Sequence, residues 1–153
     1  MTRLILTAAI AALLVACSGP ASEAPAPTTV APVATTATAL KPDTRLAAVL
    51  VYADWCSSCK ILDPKLTEAK ADGPIDGLEY IVLDYTDRDD DNFFSTADTL
   101  GLGAPIREEL SGSIKTGILL LVDVDDGKIV GDLRKELSPA DIRSAMIEAA
   151  ASA

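Results

Sequence analysis

One apolar segment runs directly into a pair of cysteines, and this junction restricts the fold more than any other part of the sequence. Residues 46–53 read LAAVLVYA, and Cys56 and Cys59 follow within six residues. An uninterrupted apolar run of this length is typical of a β-strand that is covered on both faces. The segment from Ser57 to about Ala71 then predicts a helix, so both cysteines are expected where a buried strand passes into a helix.

The remaining apolar patterns predict an α/β domain that covers residues 44–153. The first helix is expected to bury one side, which comprises Ile61, Leu62, Leu66 and Ala69. Further strands are predicted at 78–84, 118–124 and 128–133, and further helices at 93–100, at 105–110 and after the N-cap Ser138. The strand–helix–strand order requires a parallel pair, whereas the Asp125-Asp126-Gly127 turn joins an antiparallel hairpin. We therefore predict a central mixed β-sheet flanked by helices.

The N-terminus has the pattern of an export signal. Residues 1–16 carry one basic residue, Arg3, and then an uncharged apolar stretch that is too short to cross a bilayer permanently. The stretch ends in Leu-Val-Ala-Cys at Cys17, which resembles the lipobox of bacterial lipoproteins. The resemblance implies cleavage before Cys17, diacylation of Cys17, and a position facing the periplasm, with Ser18 favouring the outer membrane. The alternative is an ordinary secretory signal.

Residues 17–43 are rich in Pro, Ala and Thr and contain scarcely any large apolar side chain. Such a composition cannot bury enough surface to offset the entropy of ordering the chain. We therefore predict a semi-extended tether that follows the lipidated cysteine and serves as a spacer.

Charge and the absence of histidine exclude several kinds of function. The formal net charge of -10 makes a nucleic-acid partner unfavourable. The chain contains no histidine, which removes His-based acid–base catalysis and the commonest metal ligand. Any unusual chemistry therefore falls to the cysteines, the carboxylates and the lysines.

Cys56 and Cys59 have the spacing of a redox pair. Two cysteines three residues apart on the first turn of a helix share a face, near the separation that a disulfide requires. The helix N-terminus favours a thiolate at Cys56, Lys60 adds positive potential, and Asp54 opposes it. Cys56 is thus expected to attack a substrate disulfide and Cys59 to resolve the mixed disulfide, without a cofactor or a metal. A structural staple would gain little from so short a loop, and a zinc site would need further ligands.

The segment YADWCSSCK at residues 52–60, with Pro64 after it, resembles the active site of the thioredoxin family. It is most similar to the C-terminal domain of the membrane thiol:disulfide interchange proteins. The resemblance implies a thioredoxin-like fold, Cys56 as the attacking cysteine, and Trp55 as an apolar flank of the site. It also implies protein disulfides as substrates, which the chain is expected to reduce with electrons from a membrane donor.

Two positions depart from this family. A buried Asp that the family carries six residues before the first cysteine is replaced by Leu50, and the family's cis-proline is replaced by Thr116. A cis bond before threonine costs roughly 2.5–4 kcal/mol, so a trans bond is expected there. Loss of the proline opens an alternative function, a non-catalytic thioredoxin-fold module that holds copper, an iron–sulfur cluster or a partner protein.

The acidic cluster at Asp87, Asp89, Asp90 and Asp91 is expected to be a solvated loop. An EF-hand calcium loop that began at Asp87 would need glycine where Asn92 stands. The segment from this cluster to Lys115 is longer than a minimal thioredoxin requires. We interpret it as variable decoration; a lid or a partner surface is the alternative.

Overall fold

The computed structural model describes residues 39–153. The predicted signal peptide, Cys17 and residues 18–38 of the predicted tether lie outside the described residues. Within residues 39–153, no helix combines the length and the apolar character that a bilayer crossing requires.

The described chain contains four strands and four helices. They are β1 (Leu46–Tyr52), α1 (Ser57–Lys70), β2 (Leu78–Asp84), α2 (Asp90–Thr99), α3 (Gly103–Glu109), β3 (Ile118–Asp123), β4 (Lys128–Arg134) and α4 (Pro139–Ser152). The strands form one sheet in the order β2-β1-β3-β4. β1 is parallel to β2 and antiparallel to β3, which forms an antiparallel hairpin with β4. The predicted α/β class with a mixed sheet is confirmed, and the arrangement is compatible with a thioredoxin-like fold.

β1 is the buried centre of the domain. Successive side chains of a strand point to opposite faces of the sheet. Ala47, Val49 and Val51 therefore join one apolar cluster, which includes residues of β2, α2 and α3. Leu46, Ala48 and Leu50 join a second cluster on the other face, with residues of α1 and α4. Packing on both faces fixes the carboxyl end of β1, from which the loop to the cysteines begins.

The buried side of α1 differs from the prediction at one residue. Leu62, Leu66 and Ala69 are buried as expected, but Ile61 is 48% exposed. Cys59 takes the buried position instead. Since an α-helix has 3.6 residues per turn, Ile61 lies roughly 200° around the helix from Cys59 and faces solvent.

The second helix begins three residues earlier than predicted, inside the acidic cluster. Asp89 is the N-cap of α2, and its side chain accepts a hydrogen bond from the backbone N–H of Asn92 at 3.0 Å. Asp90 and Asp91 form the first turn, where negative charge is favourable to the helix dipole. The prediction that the whole cluster is a solvated loop is therefore wrong for these residues.

Candidate functional site

Cys56 caps α1 directly after β1. Its backbone is extended, with φ -80 and ψ 113, and its Sγ accepts a hydrogen bond from the backbone N–H of Cys59 at 3.1 Å. A cysteine thus occupies the capping position that Ser, Thr, Asp or Asn usually fills. The first-turn N–H groups of a helix lack intrahelical partners, so they are available to a thiolate. The predicted strand-to-helix junction is confirmed.

Cys59 lies beneath Cys56 and is sealed from solvent. Its exposed fraction is 0%, against 6% for Cys56, and both side chains are free thiols. The Cys59 Sγ lies 3.8 Å from the carbonyl oxygen of Val51. Tyr52 and Ala53 pack against the cysteine pair. Only Cys56 is therefore positioned to meet a substrate.

The two thiols have opposite acidities. Burial raises the pKa of Cys56, but hydrogen bonds from the side chains of Cys59 and Thr116 and from first-turn backbone N–H groups lower this pKa overall. Burial, followed by the hydrogen bond and the charge of Cys56, raises the pKa of Cys59 to about 12. The thiolate is the nucleophilic form of cysteine. Cys56 is therefore suited to attack, while Cys59 holds its proton and directs it to the carbonyl oxygen of Val51.

Thr116 lies next to Cys56, although it precedes β3 and is distant in sequence. Its side chain lowers the pKa of the Cys56 thiol. The described chain contains no cis peptide bond, as expected for the bond before Thr116. A hydroxyl donor thus stands where the family resemblance predicts a proline.

Gly117 allows the segment before β3 to lie close to Cys56. The sequence prediction did not include this glycine as a site residue. Its φ is +79, and a Cβ there would lie 2.5 Å from the Ser58 Cβ and 3.1 Å from the Cys56 Sγ. Its backbone N–H donates to the carbonyl of Val51 at 2.8 Å. No other residue type fits this conformation and this space without strain. The signal in the sequence was a glycine immediately before a buried strand.

Trp55, which the resemblance implies as an apolar flank of the site, is 42% exposed. Its indole N–H donates to the carbonyl of Thr86 at 3.0 Å, and the Thr86 Oγ accepts from the backbone N–H of Asp54 at 3.1 Å. The Arg88 guanidinium lies 4.4 Å from the indole ring centre, and Arg88 has a positive φ of 59. The loop after β2 therefore holds Trp55 beside Cys56. Sequence reasoning missed Thr86 and Arg88 because the contacts are non-local.

The other predicted positions have less direct roles. Leu50 is fully buried among Leu62, Leu66 and Leu119 in the second apolar cluster. Pro64 lies inside α1, where it removes one backbone donor. Lys60 is exposed, and its backbone N–H donates to the carbonyl of Cys56 at 3.3 Å.

Within residues 39–153, no three or more Cys, Asp or Glu side chains lie together as a metal site would require. Among the described residues, Cys56 and Cys59 would therefore supply two ligands to a metal ion, without a third Cys, Asp or Glu beside them. A scan against protein-family models gave no match, and a search of curated proteins gave none either.

Proposed function

We propose that this chain is a thiol–disulfide oxidoreductase of the bacterial cell envelope. One observation carries the proposal, namely that Cys56 caps the start of α1 and accepts a hydrogen bond from the backbone N–H of the fully buried Cys59. The pKa of Cys56 is lowered and that of Cys59 is raised, and Cys56 is 6% exposed whereas Cys59 is fully buried. A nucleophilic thiol next to a protected second thiol is the arrangement that disulfide exchange requires.

The reaction proceeds in two exchanges. The Cys56 thiolate attacks one sulfur of a substrate disulfide, a Cys56–substrate bond forms, and the other substrate sulfur leaves as a thiolate and takes a proton from water. Cys59 then loses its proton and attacks the Cys56 sulfur, which releases the second substrate thiolate. Two electrons pass to the substrate, and the Cys56–Cys59 disulfide remains. No cofactor is needed for either exchange.

The direction that we propose is reduction of protein disulfides. Ser57 and Ser58 separate the cysteines, without the histidine that the family resemblance associates with strong oxidants. Since the cell envelope is oxidising, each turnover then requires electrons from a membrane donor. A lipid anchor at Cys17 and the Pro-rich tether would hold the domain near such a donor.

Insulin reduction by the purified domain tests the proposal. With dithiothreitol as donor, wild type is expected to accelerate the reaction, and Cys56→Ser is expected to match the uncatalysed rate. Ser57→Ala is the matched control, because it changes an exposed neighbour that carries no thiol. Equal rates for wild type and Cys56→Ser would refute the proposal.

The alternative, a binding module for copper or an iron–sulfur cluster, rests on the missing proline at Thr116. Because a cluster of this kind takes four cysteine ligands, two further ligands would have to come from a second copy or a bound thiol. Metal analysis of anaerobically purified protein separates the two functions. Stoichiometric metal that is lost in Cys56→Ser and Cys59→Ser would favour the binding module.

A further inference from the structure

A groove lies at the end of the domain opposite to the cysteines, and its volume is about 400 Å³. It is lined by Lys70 at the end of α1, by the loop that follows, by the start of β2 and by part of α4. Since a helix rises about 1.5 Å per residue, Lys70 lies roughly 20 Å from Cys56. Pockets that bind small molecules have volumes of roughly 300–1,000 Å³. The groove is therefore separate from the candidate redox site and large enough for a ligand.

The charge of the groove is positive, although the formal net charge of the chain is -10. Its lining contains the cations Lys41, Lys70 and Arg143 and one carboxylate, Glu79. Glu79 Oε2 is already engaged, since it accepts from the backbone N–H of Lys41 at 3.0 Å and from the Thr44 hydroxyl at 2.9 Å. Among the described residues, neither lysine side chain forms an ion pair with a carboxylate. The two ammonium groups therefore remain available to an anion.

Contacts within the domain hold two of these cations in place. The Lys70 Nζ lies 3.7 Å from the centre of the Tyr80 ring, and partial burial lowers the pKa of Lys70. The Arg143 side chain is 19% exposed, and its Nη1 donates to the carbonyl of Ala69 at 2.8 Å. Its Nε lies 3.7 Å from the Asp72 carboxylate, which is 80% exposed and shares part of the charge. A bound anion would favour the charged form of Lys70 and would order few further side chains.

The remaining lining of the groove is largely apolar. Ile75 and Leu78 are half-buried, and Met146 of α4 is buried. These side chains offer no hydrogen-bonding group, so they favour an alkyl chain over a polar ligand. Each methylene group that such a chain buries strengthens binding about fourfold. Cations beside an apolar wall therefore suit a molecule that has an acidic head group and an apolar chain.

We propose that this groove binds an anionic amphiphile, with a phosphate or carboxylate head group on a single short alkyl chain. Lys41, Lys70 and Arg143 attract the head group, and Leu78 and Met146 contact the chain. A concave site of this volume admits one alkyl chain, which favours a soluble ligand over the flat surface of a membrane. The inference does not depend on the proposed redox function.

Isothermal titration calorimetry of the purified full chain with monomeric octyl phosphate tests this inference. Octyl glucoside has the same chain without a charge, and inorganic phosphate has the charge without a chain. Octyl phosphate is expected to bind at least about tenfold more tightly than either. An affinity for octyl phosphate that merely equals that for octyl glucoside or for inorganic phosphate would overturn the inference. Binding to vesicles that contain phosphatidic acid, without binding to monomeric octyl phosphate, would overturn it in favour of a membrane surface.

Two lysine variants locate the binding site. Lys70→Gln removes one cation from the groove and is expected to weaken octyl phosphate binding at least about fivefold. Lys128→Gln is the matched control, because Lys128 is exposed at the start of β4 and does not line the groove. It should bind octyl phosphate as wild type does, and thermal unfolding without ligand checks that both variants are folded. Wild-type affinity in Lys70→Gln, or an equal loss in both variants, would overturn the inference.

Discussion

Replacing Thr116 by valine removes one hydroxyl from the surroundings of Cys56 and keeps nearly the same side-chain shape. That hydroxyl is one of the groups that lower the pKa of the Cys56 thiol. A hydrogen bond to a charged group contributes roughly 1.5–3 kcal/mol, and one pKa unit corresponds to about 1.36 kcal/mol. Because Thr116 is only partly buried, water can replace part of this interaction. We therefore expect Thr116→Val to raise the pKa of the Cys56 thiol.

The rate of Cys56 alkylation by iodoacetamide, measured against pH in a Cys59→Ser background, reports this pKa directly. At a pH between the Cys56 pKa of the parent and that of the Thr116→Val protein, the valine variant should react several-fold more slowly than its parent. Thr116→Ser keeps the hydroxyl and should titrate close to the parent. If the valine and serine variants titrate alike, the hydroxyl does not stabilise the thiolate, and the reasoning from the Thr116 contact is refuted.

Three further predictions concern stability and are measured by thermal or urea unfolding of the reduced protein. Gly117→Ala should lower the free energy of unfolding by at least about 2 kcal/mol, since this position combines a positive φ with a steric overlap. Gly127→Ala is the control and should cost only about 1 kcal/mol, because nothing lies within 4 Å of the added Cβ. Equal losses in the two variants would contradict the steric argument. The pKa of Cys59, about 12, lies above the ordinary thiol value of about 8.5. The stability that the buried, protonated Cys59 thiol contributes is therefore complete below about pH 8.5 and is lost as the pH rises toward 12. Between pH 8 and 10, Cys59→Ser should therefore lose less stability than wild type. Equal losses in the two proteins would contradict the claim that ionisation of the buried Cys59 thiol destabilises the fold. Asp89→Ala should lower the free energy of unfolding by about 1 kcal/mol through loss of the α2 N-cap, whereas Asp91→Ala should lower it by about 0.3 kcal/mol. A larger loss for Asp91→Ala would show that Asp89 does not stabilise α2 as its N-cap.

The local features of the fold were predictable because their causes lie close together in sequence. The apolar run of β1 and the cysteines that follow it predict a buried strand and a helix start, and both are present. The start of α2 was missed although Asp89 is a favoured N-cap residue, because four acidic residues in five positions resemble a solvated loop. Helix-start signals carried more information there than charge density did.

The far side of the candidate site could not be derived from residue patterns alone. Thr116 and Gly117 reach Cys56 only because β3 pairs antiparallel with β1, which brings the start of β3 beside the end of β1. The contact of Arg88 with Trp55 likewise depends on where the loop after β2 lies. Propensity and periodicity describe single elements, whereas these contacts arise from the pairing of elements that are distant in the chain.

Because of the direction of β3, the turn between β3 and β4 lies far from the cysteines and is a convenient place to attach a label. β3 begins at the cysteines and runs six residues to Asp123, so the turn before β4 lies roughly 20 Å from Cys56. Residues 125–127 in that turn are exposed, and an added Cβ at Gly127 would meet nothing within 4 Å. A fluorophore or an affinity tag inserted at this hairpin would report on the domain without crowding a bound polypeptide.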